Sequence, residues 1–72
     1  MADLAQVDRD IERGEDNISR QRQIVARLIE QGYYSFAREA DKLLEKFTDL
    51  QAVHLAHRDR LLTELGNQDG GN

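Results

Sequence analysis

The sequence predicts an all-α protein: a two-helix antiparallel hairpin with coiled-coil character that dimerises into a four-helix bundle. Three observations predict it. Leu4, Val7, Ile11, Gly14, Ile18, Gln21, Val25 and Leu28 recur in alternate steps of three and four, which lines them up along one narrow face of a helix. Phe36, Ala40, Leu43, Phe47, Leu50, His54, His57 and Leu61 repeat that pattern in the second half. Between the two stripes stands Gly32, the residue type that enters the left-handed conformation at a helix end without a Cβ penalty.

Each element follows from local chemistry. Asp3 can cap helix 1, which is expected over about 4–31, and Gly32 opens a short turn over 32–35 with Ser35 placed to cap helix 2. Helix 2 is expected over about 36–65 with Gly66 as its stop, so the hairpin occupies 1–66. The tail 67–72 has no apolar residue to anchor it and is expected to be disordered. The chain contains no proline, so nothing else interrupts either helix. Helix 1 is acidic in its first half (Asp8, Asp10, Glu12, Glu15, Asp16) and basic in its second (Arg20, Arg22, Arg27), which suits its own dipole and an antiparallel neighbour.

Composition bounds the function. A chain of 72 residues with one seam between two helices buries little, and with no cysteine neither disulfides nor thiolate metal sites can compensate. Self-association is the remaining device. Ile24, Ile29, Tyr33, Tyr34, Leu44, Val53, Leu55 and Leu62 lie off the two stripes and are the candidate interface, of a homodimer first and of another protein partner second. The net charge of −4 argues against nucleic acid as the main partner. The lack of a long apolar run or a leader-like N-terminus makes a cytoplasmic protein with no membrane association the default.

Through the glycine turn the stripes pair Val25 with Ala40, Ile18 with Phe47 and Leu4 with Leu61, which sets Gly14 beside Phe47, Leu50 and Gln51 and brings Asp8 towards His57, Arg58 and Arg60. Gly14 and Gln21 are the expected register-specifying residues. Gly14 makes room for a bulky residue such as Phe47, and a lone buried amide at Gln21 fixes register at some cost in stability.

No catalytic constellation and no cofactor signature is present, so a non-enzymatic role is expected. His54 and His57 share a helix face at i, i+3 and are the only metal-ligand candidates, without the matching acids of a di-iron bundle; partial solvation with hydrogen bonds to nearby carboxylates is the simpler expectation. Arg20, Arg22 and Arg27, with Arg38, are the candidates for a nucleic-acid regulator, though Glu30, Glu39 and Glu45 dilute their field. Tyr33 and Tyr34 are expected to pack at the turn rather than stack on bases.

The stretch Ile18-Ser19-Arg20-Gln21-Arg22 with Leu28, the glycine turn and His54-Leu55-Ala56-His57-Arg58-Asp59-Arg60-Leu61-Leu62 resembles a group of very short bacterial helical-hairpin hypothetical proteins of unassigned function. The resemblance implies a bacterial helical hairpin and supplies no catalytic residue. The sequence thus leads to a small protein-protein interaction or self-association module, with a nucleic-acid regulator and a metal-binding bundle as alternatives.

Overall fold

The computed structural model describes residues 3–70. Two helices, α1 over Leu4–Glu30 and α2 over Tyr34–Gly70, pack against each other as an antiparallel hairpin. At 27 and 37 residues they differ in length, so α2 runs past the start of α1 and carries Leu62 and Leu65 on an overhang. The molecule is a rod of 61 × 18 × 15 Å.

Local chemistry sets the ends of α1. Asp3 sits in extended backbone and its Oδ1 accepts from the Gln6 N–H at 2.8 Å, the N-cap expected from its side chain. At the other end Gly32 takes φ +81°, the Gly32 N–H donates to the Ile29 carbonyl and the Tyr33 N–H to the Leu28 carbonyl. This pair of bonds is a Schellman motif, and it satisfies carbonyls that the helix end would otherwise orphan.

Expectations about both ends of α2 are corrected. The helix starts at Tyr34, because the Tyr33 carbonyl accepts the Ala37 N–H at 2.9 Å as soon as the motif closes. Ser35 therefore lies inside the first turn and is not the cap. At the far end α2 continues through Gly66 to Gly70, so 67–70 belong to the helix; the last two residues of the expected tail, 71–72, lie outside the described residues. Gly66 does not take positive φ, and without a left-handed residue or a packed neighbour the helical ladder has no competitor there.

All eight stripe positions of α1 are buried or half-buried. In α2 the seam is rotated by one residue from the expected stripe. Ala37, Leu44, Gln51 and Arg58 face α1, together with Ala40, Phe47, His54 and Leu61. Phe36, Leu43 and Leu50, expected inside, are exposed by 66%, 42% and 53%. Leu44, expected on an outer interface, is half-buried in the hairpin seam. At the turn end Ala37 is 5% exposed whereas its neighbour Phe36 is exposed, so the small residue of the two is the one packed against α1.

Candidate functional site

Helix α2 carries two heptad stripes that share Ala40, Phe47, His54 and Leu61. One adds Ala37, Leu44, Gln51 and Arg58 and is used inside the hairpin. The other adds Phe36, Leu43 and Leu50, which are turned outwards, and His57, which is half-buried. The outward set is the more apolar of the two. Its exposed apolar side chains make it the candidate functional surface.

The two sides of the rod are unequal. On one side a cleft of about 260 Å³ at Gly14 is bordered by Asp10 and Asn17 of α1 and by Phe47, Leu50 and His54 of α2. Helical spacing continues this side along Leu43 and Phe36 on α2 and to Ile24 on α1. At the turn the Tyr33 ring meets Phe36 edge to face, with centroids 6.3 Å apart, which extends the apolar strip to the end of the rod. Both Tyr33 and Tyr34 nevertheless remain exposed, so packing at the turn is only partial.

The opposite side is broken. Ile29 and Tyr34 border a cleft with Arg38 and Asp41 near the turn, while Leu55 borders another with Asp8, Glu15 and Arg58. Charged and hydroxyl side chains separate these apolar spots. Of the expected interface residues, Ile24 and Tyr33 therefore belong to the continuous strip, Val53 lies along its edge, and Ile29, Tyr34, Leu55 and Leu62 lie on the interrupted side.

Inside the seam two glutamines span the helices. Gln21 and Gln51 are each 7% exposed. The Gln21 Nε2 donates to the Ala40 carbonyl at 2.8 Å, and the Gln51 Nε2 donates to the Ile11 carbonyl at 2.9 Å. Gln51 Oε1 is buried with no partner, pressed against Gly14 where a Cβ would overlap it. Gly14 thus makes room for Gln51, and the expected accommodation of Phe47 is corrected. The sequence sets Gln51 beside Gly14 but off the stripe; its place one residue after Leu50 is the signal, since a one-residue rotation of the stripe puts it inside.

The charged candidates do not converge. Arg58 occupies a seam position and reaches outward, its Nε donating to Asp8 Oδ1 at 2.7 Å with both side chains part-exposed. Asp10 accepts instead from Gln6 Nε2 at 3.0 Å. With Asp8 and Asp10 so engaged, neither histidine forms an ion pair with a carboxylate among the described residues, contrary to expectation. No group of three His, Cys, Asp or Glu side chains gathers around His54 and His57 among the described residues. Arg20 and Arg27 share a face of α1, whereas Arg22, two residues on from Arg20, points away from it. All three are exposed, and Arg20 makes no ion pair with Glu45 among the described residues. No described helix is long and apolar enough to cross a membrane.

Compared with known protein families, characterised proteins and solved structures, the chain has no match.

Proposed function

We propose that this chain is a small, non-enzymatic self-association module whose working surface is the outward stripe of α2. The carrying observation is the exposure of Phe36, Leu43 and Leu50 at seven-residue intervals on a helix already packed along its other stripe. Three apolar residues, Val7, Ile11 and Ala37, form the buried core among the described residues, too few to stabilise a rod of this length alone.

The surface area points the same way. A compact monomer of 8.3 kDa exposes about 4,600 Å² by the usual scaling with mass. This chain exposes 5774 Å². The excess, roughly 1,200 Å², is what an elongated hairpin with a projecting helix end leaves uncovered, and it leaves room for the ~800 Å² that each partner contributes to a standard interface. The nucleic-acid and metal readings have no comparable support, since Arg22 points away from Arg20 and Arg27 and no third ligand group gathers at the histidines among the described residues.

Thermal melting at several concentrations tests the proposal. A self-associating chain has a melting temperature that climbs with concentration, because assembly draws the folded state by mass action. A melting temperature independent of concentration would contradict it.

A further inference from the structure

We infer that the occupant of the outward stripe is a second copy of this chain, lying with its α2 antiparallel to α2 about a two-fold axis between Thr48 and Asp49. This rests on the self-association proposed above and specifies its geometry. The other helix is an inferior surface for the contact. On the same side α1 offers Asp10, Asn17 and Ile24, whereas α2 offers an unbroken apolar run from Phe36 to Leu50 before His54 and His57, so the two α2 helices meet at the centre and the α1 helices flank them.

Heptad spacing allows only registers one heptad apart to keep the stripe residues in layers. In the register we assign, Phe36 meets the partner's Leu61, Ala40 meets the partner's His57, Leu43 meets the partner's His54 and Phe47 meets the partner's Leu50. The axis repeats each layer. Small and large residues then face each other at Ala40, and the two Phe47 rings lie in adjacent layers without colliding.

Charge along the edge of the stripe selects between registers. The edge row is Glu39, Lys46, Val53 and Arg60, each three residues beyond a stripe member and all exposed. In the assigned register Glu39 faces the partner's Arg60 at both ends, and the Lys46 stem covers the partner's Val53. Shifting by one heptad towards the turn would instead bring Lys46 against the partner's Lys46. Glu39 Oε1 already accepts from Lys42 on its own helix at 3.2 Å, but both side chains are well exposed and Oε2 remains for an arginine. Arg60 makes no ion pair among the described residues.

The chain has no cysteine of its own, so single-cysteine variants report the geometry directly. A mixture of Leu43→Cys and His54→Cys chains, oxidised after its mass is measured, should yield the mixed disulfide as the main product and neither variant joined to itself, because a disulfide requires Cα atoms about 4.4–6.8 Å apart. Leu43→Cys joined to itself would mean parallel helices. No crosslink in a mixture of dimeric mass would mean another register or another face. Either result overturns the geometry while leaving self-association standing; a mixture with one-chain mass, matched by a one-chain parent, overturns both. Charge reversal gives the independent check should cysteine weaken assembly: Glu39→Arg should loosen the dimer about tenfold, and adding Arg60→Glu should restore it. Failure of the second change to restore what the first removes would also overturn the register.

Discussion

Gln51 Oε1 occupies the space that a Cβ on residue 14 would need, so the glycine of one helix and the glutamine of the other are a matched pair. The Nε2 of the same amide is anchored to the Ile11 carbonyl one turn away, while the oxygen has no hydrogen-bond partner. An unpartnered buried carbonyl oxygen costs about 1–3 kcal/mol, and a mid-helix glycine about 0.8–1.0 kcal/mol relative to alanine. The pairing therefore fixes alignment at the expense of stability.

Coupling between the two residues follows. In a Gln51→Ala background, Gly14→Ala should raise stability by the full helix-propensity gain of about 0.8–1.0 kcal/mol. In the parent the same change displaces the Gln51 amide from Ile11 and should gain distinctly less. Chemical denaturation of the four chains measures the difference, and equal gains in both backgrounds would show that the pair does not interact. A larger residue cannot be accommodated by moving one amide, so Gly14→Leu should cost about 1–3 kcal/mol.

Gln21 is the second spanning amide and is expected to behave differently when replaced. The Ala40 carbonyl that it reaches lies inside α2 and has a helical partner, so removing the donor orphans nothing. Gln21→Leu should raise the melting temperature, and light scattering should show mixed oligomers or registers. A single species of unchanged mass with lower stability would make this amide structural in its own right.

Much of this architecture was legible in the sequence, and the failures have physical causes. The Asp3 cap, the Gly32 turn and every seam position of α1 follow from capping chemistry and one unambiguous heptad. The rotation of α2 does not, because its two stripes share four residues and apolar content favours the wrong one. Hydrophobicity ranks Phe36, Leu43 and Leu50 above Ala37, Leu44 and Gln51, yet the seam takes the small Ala37 near the turn and the Gln51 amide against Gly14. The same ambiguity hides the candidate surface, since apolar content assigns its best residues to the interior.

Ala37 tests that rotation. It is 5% exposed and faces α1 close to the turn. Enlarging it in Ala37→Leu should destabilise the hairpin by about 1–3 kcal/mol through overpacking, although leucine is the more hydrophobic residue. An unchanged or higher denaturation midpoint would place position 37 at the surface and return Phe36 to the seam.

The ion pair between Arg58 and Asp8 should matter little. Both side chains are part-exposed, so screening keeps such a pair to about 0–1 kcal/mol. Asp8→Asn should lower stability by no more than that, with a difference from the parent that shrinks as salt is added. Arg58→Ala should cost more, because the arginine stem also fills a seam position. Equal losses for the two variants would mean that the stem contributes no packing.

The central claim is that the outward stripe of α2 is the self-association surface, and sedimentation equilibrium of the parent beside Leu43→Asp tests it most directly. Leu43 is exposed in the single hairpin and stands between Phe36 and Leu50 on the outward stripe, so a carboxylate there should be tolerated by the fold and rejected by the interface. The account predicts a mass of two chains for the parent at micromolar concentration and of one chain for the variant, with Leu43→Ser as the milder substitution should Asp unfold the hairpin. A one-chain mass for the parent, or a polar variant that assembles as tightly as the parent, would contradict it.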